Sequence, residues 1–139
     1  MTAEMERRRV ATQKTIDRFR GKPFAWDKSA TCAHLLRYHL RNMGHKALTV
    51  PQFRTPLGAT KALNAMGFTS MADVLDSLAK RLPGAAYTVL GDVVVKDGDG
   101  LDAVMICAGP RRFYGWIEGE EKPVFAEIDP DYLVGCWRV

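Results

Sequence analysis

The sequence predicts an α+β domain, helices first and a small antiparallel sheet after, on three observations. Residues 3–82 carry helical periodicity punctuated by capping residues, with Gly21, Gly44 and Gly67 as stops. After Pro83-Gly84 the texture changes to short β-branched and aromatic runs separated by turn residues. The two kinds of segment do not alternate, which argues against βαβ units.

The first helix is predicted over residues 3–20, which contain no Gly or Pro. Met5, Thr12, Ile16 and Phe19 give it a thin apolar seam, so it needs a surface to lie on. Gly21, Lys22 and Pro23 end it, and Phe24 and Trp26 follow on a short extended stretch. The second helix is the clearest: Cys32, Leu35, Leu36, His39, Leu40 and Met43 share one face, Thr31 or Ser29 can cap it, and Gly44 closes it. Thr55-Pro56 opens a third helix that Gly67 ends. Ser70 opens a fourth, with Asp73 in the capping-box position, running to Leu82-Pro83. Four or five antiparallel strands are predicted within 91–95, 101–107, 111–117, 123–128 and 135–139. KDGDG, GP, EGEE and DPD supply the turns.

At 139 residues the chain fits one domain, 1–139, with residues 1–22 as a helical docking element and 23–139 as the core. No apolar run is long enough to span a bilayer, and the first ten residues lack the apolar stretch of a signal peptide, so synthesis in a cytoplasm and no membrane contact are expected. Cys32, Cys107 and Cys136 form neither an even disulfide set nor a C-x-x-C pair, so reduced thiols and no metal are expected. DGDG lacks the frame of a calcium loop, and no phosphate-loop pattern is present, so no cofactor is predicted.

The net charge of +4 conceals an asymmetry. Residues 1–61 hold 13 Lys/Arg against 4 Asp/Glu, and residues 62–139 hold 7 against 12. The basic half lacks interleaved aromatics and any base-reading motif, which argues against nucleic acid and for a solvated or protein-contacting face. Phe113, Tyr114 and Trp116, beside Arg111 and Arg112, could form a stacking platform, but strand alternation divides them between core and surface.

Cys32 is the candidate reactive residue. A thiol at the first turn of a helix meets unsatisfied N–H groups and the positive end of the helix dipole, which favour thiolate. A cysteine nucleophile also needs a general base, usually histidine. His34 points about 200° away round the helix, and His39 shares the face but lies about 10 Å along it. His45 is beyond the helix end, and the strand half contains no histidine. His39 is expected to bond a backbone carbonyl, and His34 and His45 are expected in solvent.

The stretches RFRGKPFAWDKSATCAHL, HLRNMGH, LGDVVV, AVMICAG and CWRV together resemble the small papain-like cysteine peptidases of the NlpC type. More narrowly, they resemble the short NlpC-like proteins encoded among phage tail-tip genes. The resemblance runs from about Arg18 to Val139. It implies a papain-like NlpC-type fold with Cys32 in the nucleophile position. It also implies that the strand position where the family carries histidine, six residues before Gly109, is Ala103, with Thr31 where an aspartate often precedes the cysteine. A methyl group cannot act as a general base. The resemblance therefore implies a structural or adaptor component of a phage tail tip or baseplate on a degenerate peptidase scaffold. Its partners would be hub or distal tail proteins, its location the virion, and Arg7, Arg8 and Arg9 the docking charges. The alternative is an active cell-wall cysteine endopeptidase or amidase acting on peptidoglycan during phage entry.

Overall fold

The computed structural model describes residues 2–45, 53–97 and 103–139. Four helices, α1 (Ala3–Phe19), α2 (Cys32–Asn42), α3 (Pro56–Ala65) and α4 (Met71–Leu78), precede or flank six strands. The strands are β1 (Lys80–Arg81), β2 (Val93–Lys96), β3 (Ala103–Gly109), β4 (Arg112–Gly115), β5 (Val124–Ala126) and β6 (Leu133–Arg138). They form one sheet in the order β1-β6-β2-β3-β4-β5, and every neighbouring pair is antiparallel. The DGDG turn lies mostly outside the described residues, as does Asp102.

Each helix begins where a side-chain oxygen can take up a free N–H. Thr2, Thr31, Thr55 and Ser70 accept from Met5, His34, Gly58 and Asp73 respectively. The cap of α2 is thus Thr31, not Ser29. Asp73 reaches back to Thr69, whose hydroxyl and N–H it accepts at 2.7 and 3.1 Å.

Both faces of the central strands are covered, which is why GDVVV and AVMIC read as continuous apolar runs rather than alternating ones. Val93, Val95, Val104, Ile106, Tyr114, Trp116 and Trp137 pack against Ile16, Phe19, Leu35, Leu36, Leu40 and Leu75 of the helices. Val94, Met105, Cys107, Phe113 and Cys136 form a second cluster on the opposite face, with Leu82, Ile117, Ile128 and Leu133 around it. Phe113, Tyr114 and Trp116 are all buried, so the expected division into core and surface residues does not occur. Coverage on both sides overrides the alternation.

The fourth helix stops at Leu78, earlier than expected, because Lys80 and Arg81 pair with Arg138 and Trp137 as an edge strand. Trp137 is fully buried, donates its indole N–H to Asp76 at 2.8 Å and lies under the Arg81 guanidinium. Its ring also covers Gly135. A Cβ at Gly135 would stand 2.8 Å from the Trp137 ring edge. Gly135→Ala is therefore expected to destabilise the fold by about 1–3 kcal/mol through overpacking. Urea unfolding should show this as a lower midpoint with an unchanged slope.

The N-terminal helix belongs to the core. Its buried face is Arg8, Ala11, Thr12, Thr15, Ile16 and Phe19, in which Ile16 and Phe19 join the apolar core beside polar Arg8, Thr12 and Thr15. Arg8 corrects the expectation that the three consecutive arginines serve docking. Its guanidinium ion-pairs with Asp92 and donates to the carbonyls of Leu90 at 2.7 Å and Val139 at 2.8 Å. Arg7 and Arg9 pair with Glu4 and Glu6 on the same helix, and Arg20 pairs with Asp17. Two of the three consecutive arginines are thus paired with carboxylates of their own helix, and the third with Asp92.

Candidate functional site

The loop leading into α2 is a small closed turn. Ala25 and Ala30 exchange backbone hydrogen bonds of 2.9 and 3.0 Å, and Ser29 adopts a left-handed φ of 55° to close it. The turn delivers Thr31, fully buried, to the cap position and Cys32 to the first residue of the helix. Two contacts fasten the preceding segment to the far end of the sheet. Phe24 N–H donates to the Glu121 carbonyl at 3.0 Å, and the Trp116 indole N–H donates to the Lys22 carbonyl at 3.1 Å.

Between these elements lies a groove of about 810 Å³. Cys32, half-buried, and Ala103, the first residue of β3, both line it. The aromatic wall is an edge-to-face series in which Phe24 contacts Trp26 and Trp116 at centroid distances of 6.0 and 5.8 Å. Pro56, Leu57 and Thr60 of α3 form the opposite lip. Lys96, Asp97, Glu118 and Glu120 supply the charged lining.

None of the three histidines lines this groove. His39 is fully buried, with Nε2 at 2.7 Å from the Gly91 carbonyl and Nδ1 at 2.8 Å from the Thr15 hydroxyl. Because a carbonyl can only accept, Nε2 carries a proton. Burial pulls its pKa down to about 4, with the Arg8 and His45 charges acting in the same direction and the Gly91 bond opposing them. The carbonyl partner expected for His39 is therefore present.

His34 is not in solvent as expected. Its Nδ1 lies 2.7 Å from the Thr31 hydroxyl, and its ring packs on Phe53 at a centroid distance of 4.5 Å. Burial lowers its pKa, against an opposing backbone hydrogen bond with Phe53. The reason is the neighbouring loop: α2 turns this face not to water but to Trp26 and Phe53. His45 is half-buried beyond the end of α2, and burial lowers its pKa as well.

All three cysteines are outside disulfides. Among the described residues, no three His, Cys, Asp or Glu side chains gather as a metal site, and no helix is long and apolar enough to cross a membrane. Sequence reasoning found Cys32 and Ala103 and noticed Phe24 and Trp26. It did not connect them with Trp116, Leu57 or the carboxylates, which reach the groove from other elements.

Three solved structures place this architecture. The chain is similar to the NlpC/p60 domain of the peptidoglycan hydrolase SagA, with 15% identity, a TM-score of 0.58, and coverage of 94% of this chain and 98% of that one. It is similar to the peptidoglycan hydrolase RipB from Mycobacterium tuberculosis, with 15% identity, a TM-score of 0.60, and coverage of 99% and 67%. It is also similar to the P60 domain of an antigen from M. avium subspecies paratuberculosis, with 13% identity, a TM-score of 0.59, and coverage of 96% of both. At these identities the likeness is one of fold. No curated protein matches the sequence. A family model described as a domain of unknown function, DUF6950, matches residues 4–139. The chain belongs to the DUF6950 family and has the α+β fold of NlpC/p60 domains.

Proposed function

We propose that the protein is a structural or adaptor component of a bacteriophage tail tip or baseplate, and that its NlpC/p60-like groove binds a partner without hydrolysing it. The observation that carries the second part is the groove itself. Cys32 and Ala103 line it together, while His34, His39 and His45 are all placed elsewhere. A Cys-dependent peptidase relies on a positioned base to take the thiol proton and return it to the leaving amine. A methyl group at position 103 does neither. The tail assignment rests on the resemblance of RFRGKPFAWDKSATCAHL, HLRNMGH and CWRV to short tail-gene proteins, with hub or distal tail proteins as partners and the virion as location.

The fold of peptidoglycan hydrolases, together with a cysteine opening α2 inside the groove, favours a second reading, a cell-wall endopeptidase or amidase used in entry. Two results test the proposal. Peptide mapping of purified phage particles should find the chain in the tail fraction at a fixed copy number, and its absence there would overturn the tail assignment. Purified peptidoglycan should gain no amino groups from the protein beyond the Cys32→Ala background.

A further inference from the structure

The groove is acidic and aromatic on a protein that is basic overall. Asp97, Glu118 and Glu120 are exposed on its lining, and Lys96 is the only cation among the described lining residues. Among the described residues, none of these carboxylates takes part in an ion pair, whereas Asp17, Asp76, Asp92 and Glu127 elsewhere all do. Below them lie the Phe24, Trp26 and Trp116 rings, whose faces attract cations, and Leu57 stands 65% exposed on the opposite lip. An exposed apolar lip beside an aromatic wall fits bulky side chains.

We infer that, if the non-hydrolytic reading holds, the occupant of the groove is an extended segment of a partner protein carrying lysine or arginine beside bulky apolar side chains. The rim would repel ligands rich in carboxylates, wall peptides among them, within a screening distance of about 8–10 Å. The net charge of +4 opposes a cation at long range, so the preference rests on the local field of the rim.

The test is fluorescence anisotropy with two labelled nonapeptides, one alternating lysine and leucine around a central tryptophan, the other with glutamate for lysine. The lysine peptide should bind about tenfold or more tightly. Leu57→Ser should weaken it severalfold, and Glu118→Lys with Glu120→Lys should reverse the preference. Reversing Glu127 and Asp131, which are exposed but outside the groove, should leave the preference unchanged. Equal affinity for the two peptides, or indifference to the Leu57 and Glu118/Glu120 changes, overturns the inference while leaving the non-hydrolytic reading intact. Cys32-dependent cleavage of the bound lysine peptide does the reverse: it overturns the non-hydrolytic reading and keeps the cation preference.

Discussion

Asp92→Ala should lower stability by about 3–5 kcal/mol, the usual cost of stripping one partner from a buried ion pair. Asp92 is fully buried, pairs through one carboxylate oxygen with Arg8 and through the other with Arg138 at 2.8 Å, and also accepts the Val89 N–H at 2.9 Å. Its removal leaves the Arg8 guanidinium, 4% exposed, with only the largely exposed Glu4 carboxylate, 3.9 Å away, as a counter-charge. Because domain stabilities are typically about 5–15 kcal/mol, the variant should be close to unfolding at 37 °C. In a double-mutant cycle with Arg8→Ala, the two losses should fall well short of additivity. A loss below about 1 kcal/mol, or strict additivity, would show that the network does not tie α1 to the sheet. For the same reason, Arg8 cannot be neutralised as a test of docking without disturbing the fold.

Acid should destabilise the protein well before its carboxylates protonate. His39 ordinarily titrates at 6.5, and in the fold at about 4. Between those values the unfolded chain binds a proton that the folded one refuses, so stability is fully present above 6.5 and declines as pH falls toward 4. The gap corresponds to about 3 kcal/mol. His34 and His45 shift in the same direction and add to the slope. The carboxylates with lowered values, Glu4, Glu6, Asp17 and Asp73, contribute only below their ordinary range. Urea midpoints measured from pH 7.5 to 4.5 should therefore fall steadily, and His39→Gln should flatten most of that fall from a lower starting stability. A midpoint constant across this range would contradict the neutral, buried imidazole.

Local chemistry made much of the fold readable. The caps at Thr31, Thr55 and Ser70 and the stops at Gly44 and Gly67 mark helix ends by their own hydrogen-bonding and conformational needs, and the five longer strands carry their own β-branched and aromatic runs. What stayed hidden depends on distant partners. Lys80 and Arg81 form a strand only because β6 offers them an edge. Arg8 and Thr15 lie on the inward face of the helical wheel but are polar, and they can be buried because Asp92 and His39 satisfy them from positions far along the chain. The groove divides the same way. Cys32 and Ala103 could be matched to a family pattern by short stretches of sequence. The aromatic wall and acidic rim come from three separate segments, and no local signal joins Trp116 to Phe24 or Glu118 to Leu57.

The most direct test of a groove without its imidazole is a peptidoglycan digestion comparing the wild-type protein with Cys32→Ala, scored by newly exposed amino groups, with the SagA NlpC/p60 domain as a positive control. Equal, background-level release from both forms is the predicted result. Release by the wild-type protein that disappears in Cys32→Ala would contradict it, establishing Cys32 as a working nucleophile.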